Sequence, residues 1–150
     1  MKSLFDTGTY NETMQRLNSL TPAAERQWGK MDAAQMMAHC KEAFKVPLSD
    51  KPIKGAPLLM RLLGRFVKSK LYNDSPWKPG LPTSPNFVIK DQRNFDSEKK
   101  QLIELATKFY ELGPGKVGNH PHPFFGTFTK QEWGQSMYKH LDHHLRQFGA

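Results

Sequence analysis

Trp133, Met137, Leu141, Leu145 and Phe148 recur at intervals of four, four, four and three residues. That spacing follows the 3.6-residue turn of an α-helix and not the two-residue alternation of a strand. The segment also carries its own punctuation. Thr129 and Glu132 stand at capping-box spacing before it, and Gly149 follows as a stop. The same period recurs along most of the chain. A helix from about Tyr10 to Leu20 puts Met14, Leu17 and Leu20 on one face, with Thr21-Pro22 ending it. Asp32 and Gln35 form a second capping box, opening a helix with the stripe Met36, Cys40, Ala43 and Phe44. Pro47 predicts that this helix stops just before it, because the residue preceding proline is pushed out of the α region. APLLMRLLGRFVKSKLY is a third amphipathic segment, with Pro57 in its first turn. A fourth helix, roughly Asp96 to Leu112, turns Leu102, Leu105, Ala106 and Phe109 inward and ends at Gly113-Pro114.

No stretch alternates as a strand does, and no Asn-Gly or Asp-Gly hairpin signal occurs. NDSPWKPGLPTSPNF holds four prolines between Pro76 and Pro85, which rules out a regular element there. GPGKVGNHPHPFFG is a second long loop. The expectation is therefore an all-α chain, residues 1–150 in one domain, built as a helical bundle with at least one long crossover. Ten Phe, three Trp and four Tyr supply enough bulk for a core.

The lone Cys40 cannot form an internal disulfide, which fits a reducing compartment. MKSLFDTGTYNET lacks the apolar stretch of a signal peptide, and no run approaches the roughly 20 apolar residues of a membrane span. A cytoplasmic protein is expected. The net charge of +8 invites an anionic partner such as nucleic acid, an acidic membrane or a small carboxylate or phosphate. No five basic residues run together, so a solvated basic surface is the plainer reading, and nucleic acid is not the expected partner.

The ending MYKHLDHHLRQFGA holds three histidines. At 100° per residue, His144 lies about 40° and His140 about 80° from the centre of the apolar stripe, on the same side, while His143 lies about 140° away. His140 and His144 therefore project together, and His143 is expected to face outward, as a surface residue or an outer neighbour of the site. Their i, i+4 spacing lets two imidazoles converge on one ion. A third nitrogen must come from another element, and His39 is the remaining histidine inside an expected helix, at the edge of its stripe. Three neutral imidazoles with a coordination position left over make an open, reactive site for a divalent metal. Each also has a plainer reading as a packed, hydrogen-bonded core histidine. Cys40 sits about 100° round from His39 and reads as a small buried hydrophobe. His120 and His122 read as surface-loop residues.

These residues resemble a known family. The helix-two histidine in KMDAAQMMAHC and the His-x-x-x-His pair in HLDHHLRQFG are similar to the DinB-like superfamily. The likeness is closest to a branch of unassigned function whose members share an ending like HPFFG…W…YKHLDHHLRQFG. It spans essentially the whole chain. It implies a four-helix bundle with a long crossover, here with an extra helical segment, and often a homodimer. It also implies one divalent metal ion, zinc or nickel, on His39, His140 and His144. Better-understood relatives activate a low-molecular-weight thiol toward a small-molecule electrophile, as bacillithiol transferases and mycothiol-dependent isomerases do. The two Pro-rich loops depart from the compact family pattern.

An open three-imidazole site can bind a thiol as thiolate or lower the pKa of bound water to about 7. The first predicts an S-transferase, the second a hydrolase. No Glu lies beside the helical pair on the inward side, so a base of the His-Glu-x-x-His kind is missing. Trp77, His122, Phe124 and Phe125, with Phe87, are expected to line a substrate slot, though loop anchors and core are the plainer roles. A competing class is a basic binding module, in which Arg61, Arg65, Lys68 and Lys70 flank the apolar stripe of the third segment. A third is a metal-bearing scaffold without turnover.

Overall fold

A computed structural model describes residues 1–55, 57–73, 75–81, 83 and 85–150, with the side chains at 58, 60, 63, 65 and 86 outside that description. The described chain is all-helical. Five α-helices follow in order: α1 (Thr7–Ser19), α2 (Ala33–Leu48), α3 (Leu58–Val67), α4 (Phe95–Lys116) and α5 (Lys130–Gln147). Two short 3-10 turns, Lys68–Leu71 and Pro85–Phe87, lie between α3 and α4. No strand is present among the described residues. One isolated bridge pairs His122 with Gly126 across a tight turn.

Both capping boxes form as the sequence predicts. The Asp32 carboxylate accepts from the Gln35 N–H at 2.7 Å, and Gln35 returns a bond to the Asp32 N–H. Thr129 Oγ1 accepts from the Glu132 N–H, and Glu132 accepts from the Thr129 N–H. Each pair satisfies donors that the first turn leaves open. These two starts set the frames of the helices that carry His39 and the C-terminal histidines.

α2 packs along α4, and α5 packs on α1, α2 and α4. Their facing stripes merge into one buried cluster, with Met36, Cys40, Phe44, Leu102, Phe109, Trp133, Leu141 and Leu145 among its members. The predicted stripes of α1, α2, α4 and α5 thus face inward. Burying one such large apolar side chain contributes roughly 1.5–3 kcal/mol. A buried ion pair joins α2 to α4, with Lys41 Nζ 2.5 Å from the Glu98 carboxylate. Gln101 accepts a further bond from Lys41. Removing one member would strand a buried charge, at a cost of about 3–5 kcal/mol.

Several helix ends differ from the sequence expectation, α1 among them, which begins at Thr7 and not at Tyr10. α2 continues through Pro47 to Leu48. Proline in a last turn removes a single hydrogen bond, and the pre-proline preference yields to it there. The fourth helix begins one residue earlier, at Phe95, and does break at Gly113, whose φ of 67° and ψ of −179° leave the helical region. A further helical turn resumes beyond it to Lys116.

Candidate metal centre

His39 on α2 and His140 and His144 on α5 meet where the two helices face each other. Ring centroids stand 4.9 Å apart for His39–His140, 4.7 Å for His39–His144 and 4.8 Å for His140–His144. One ligating nitrogen from each lies within 4.8 Å of the others. Around a tetrahedral divalent ion with metal–nitrogen bonds of about 2.05 Å, ligand nitrogens stand roughly 3.3 Å apart. The three rings need only small rotations to reach that. His39 and His144 are buried, and His140 keeps some exposure.

The outer nitrogens explain why the rings aim inward. His39 Nδ1 donates to the Phe87 carbonyl at 2.8 Å. Gln147 Nε2 donates to the Trp28 carbonyl at 2.8 Å, which turns Gln147 Oε1 toward His144 Nδ1, also at 2.8 Å. His144 Nδ1 must then carry its proton, leaving Nε2 with a free lone pair. His39 is in the same tautomer, so its Nε2 accepts from His140 Nε2 at 2.9 Å. That places the His140 proton on Nε2 and leaves Nδ1 as a bare acceptor, in keeping with that buried atom's lack of a partner. An outer hydrogen bond of this kind is how ligating histidines are oriented and made more basic.

Gly29 makes the Gln147 arrangement possible. Its φ of 82° is the left-handed region, and a Cβ there would stand 2.6 Å from Gln147 Nε2. Sequence reasoning passed over both residues. Gln147 carried a signal, since it follows His144 by three residues on the same helical face. Gly29 and the Phe87 carbonyl carried none.

Burial keeps the rings neutral. It is the main cause that drives His144 down to about 3, with His39 adding to the shift and the Gln147 bond opposing it. Burial likewise puts His140 well below the usual histidine range, reinforced by its His144, His39 and His143 neighbours. His39 is lowered by burial against the opposing Phe87 bond. Neutral imidazoles are the form that binds metals. The donor set and its protonation therefore suit a divalent ion.

His143 is not a surface residue but a neighbour of the site, its ring centroid 5.1 Å from that of His144. It is buried, 5.6 Å by ring centroids from both Trp28 and Trp77, and its pKa is lowered chiefly by that burial. The helical wheel located the side of α5 that meets other helices. The loops that carry Trp28 and Trp77 cover the opposite side, and loop packing has no period to read. Trp77 also lies 5.9 Å from His140, which puts it beside the site. The Phe87 ring meets His39 edge-on at 6.5 Å.

His122, Phe124 and Phe125 group elsewhere. They pack together around Phe128 and Trp133, at the N-terminal end of α5. His122 is therefore no surface-loop residue, and burial lowers its pKa to about 4. His120 bonds the Asp50 carbonyl. Cys40 is fully buried, and burial raises its thiol pKa, as expected of an inert core residue.

Fold and site together define an all-helical protein with three histidines close enough to hold a metal ion. The chain belongs to the DUF1569 family, a family of proteins of unknown function, whose model matches residues 3–150. No curated protein matches it, and no solved structure does. No described helix is long and apolar enough to cross a membrane.

Proposed function

We propose that His39, His140 and His144 bind one divalent ion, zinc or nickel, in a metal-dependent enzyme related to the DinB-like superfamily. The observation that carries this reading is the aim of the rings. Two of the three Nδ1 atoms are held by the Phe87 carbonyl and Gln147, which leaves Nε2 as the lone-pair nitrogen of both His39 and His144, and one nitrogen of each of the three rings lies within 4.8 Å of the others. When bound, such an ion supplies a Lewis acid that lowers the pKa of a coordinated thiol or water. The four-helix bundle, the single domain over 1–150 and a homodimer belong to the same proposal.

Of the two chemistries, transfer of a low-molecular-weight thiol to an electrophile is favoured over hydrolysis. The hydrogen-bond partners of the three rings among the described residues are a carbonyl, an amide and one another. No carboxylate stands there as a base for water, whereas a deprotonated thiol is a nucleophile unaided. Trp77 beside His140 and His143 would bound the substrate on one side and exclude water. His39 and His144 would hold their protons on Nδ1 throughout, keeping both Nε2 atoms available.

Elemental analysis of protein purified without a His-tag tests the metal, with one ion per chain expected. Thiol binding to metal-loaded and metal-free protein tests the chemistry. Equal binding to both would remove the transferase reading and leave hydrolysis.

A further inference from the structure

Two independent counts converge on one part of the chain. Residues 51–90 carry eight Lys and Arg against a single acid, Asp74, so seven of the eight net positive charges lie there. Among the described residues, seven of the eight exposed large apolar side chains also lie there, Met1 being the exception. Contiguous exposed apolar surface marks an interaction site.

α3 organises this material. Its inner side is fixed at Gly64, which is buried and where a Cβ would stand 2.5 Å from the Phe124 carbonyl. Helix geometry then puts Leu59, Leu62 and Phe66 about 140° to 160° from Gly64, on the opposite face. They are 69%, 46% and 84% exposed. Exposed Lys54 and Lys70 lie beyond the two ends of the helix. Lys68 is held by the Thr127 carbonyl and Glu132, which ties the end of α3 to the start of α5.

We propose that this outward face of α3 docks on an anionic lipid bilayer, with Leu59, Leu62 and Phe66 entering the headgroup region. A second copy of the chain would bring like charges together. Exposed lysines at both ends of an exposed apolar helical face complement the negative charge of an anionic bilayer. An amphipathic helix with lysine and arginine beside its apolar face binds such surfaces through apolar burial plus attraction to anionic headgroups. The surface is distinct from the histidine site, and its test is independent of any metal.

The experiment is flotation of the full chain with phosphatidylcholine vesicles, with and without roughly a third phosphatidylglycerol, at about 0.1 M salt. Retention on the anionic vesicles should exceed that on the neutral ones by about tenfold or more. Leu59→Ser with Phe66→Ser should lower it about tenfold while melting and circular dichroism stay unchanged, since both side chains are exposed. Lys54→Glu with Lys70→Glu should lower it similarly. A polarity-sensitive dye on Phe66→Cys should brighten on anionic vesicles, Cys40 being buried and unlabelled. No retention on anionic vesicles overturns the proposal. So does retention that survives both serine substitutions, which would be charge alone. Self-association abolished by the same substitutions would make a second copy the occupant and also overturn it.

Discussion

A single histidine and a group of three sit toward opposite ends of α5, and burial lowers the pKa at both. His122 lies among Phe125, Phe128 and Trp133, while His39, His140 and His144 lie against one another. The fall is to about 4 for His122 and about 3 for His144. The difference is in the nitrogens. His122 Nδ1 accepts from the Phe124 and Phe125 N–H groups at 3.1 and 3.3 Å, so its lone pair is spent closing a turn. His144 and His39 spend a proton on their outer partners and keep the lone pair pointing inward. Burial alone therefore says little about a ligand, and what the second nitrogen does says much more.

The sharpest way to break this contrast is substitution at each end. His144→Ala and His39→Ala should each lower zinc or nickel affinity by about two orders of magnitude or more, read by competition with a chromophoric chelator. His122→Ala should leave it unchanged and instead lower the melting temperature, by about 1–3 kcal/mol in stability, because two turn N–H groups lose their acceptor. His143→Ala should also keep the metal. Equal loss in all four variants would show that the two ends do not differ as described.

pH gives the next effect. The native rings refuse protons that the unfolded chain accepts below the ordinary value of 6.5. Their folded pKa is depressed, so the metal-free protein should hold full stability above about pH 6.5 and lose it on acidification toward 4 and 3. The loss should be on the order of a few kcal/mol, each pKa unit being worth about 1.4. Added metal should raise the melting temperature at neutral pH, and that gain should fade over the same acid range. A gain already lost near pH 5 would show that the native rings take up protons in the ordinary histidine range, against the lowered values described.

The outer partner gives a smaller effect. Gln147→Leu should weaken metal binding roughly 10- to 100-fold, the range typical of such partners. Gly29→Ala should act through the same amide and weaken it less, since Gln147 can shift. The comparison is sharpened if neither substitution alters His122-dependent stability.

What was legible in the sequence is what obeys a period or a local rule. The caps at Asp32 and Thr129 involve residues three apart, and the α5 stripe repeats every turn. The bearings of His140 and His144 followed from the same wheel. Which of its two outward roles His143 takes was not legible, because Trp28 and Trp77 reach it from loops that follow no repeat. The Phe87 carbonyl was invisible for a different reason, since any residue type could supply it. Likewise Trp77 reaches the histidine site while His122, Phe124 and Phe125 pack by Trp133, a division that two neighbouring Pro-rich loops do not announce.

The separation along the chain between His39 and His140, 101 positions, has a consequence for timing. Contacts that distant form only after the intervening chain has closed its loops, and domains emerge from synthesis amino end first. Residues 33–48 are therefore made well before α5. Until α5 docks, His39 is one isolated imidazole with no power to retain an ion. On the proposed reading, metal loading therefore belongs to the mature fold and not to the nascent chain. In small zinc modules the order is reversed, and the ion itself gathers the chain.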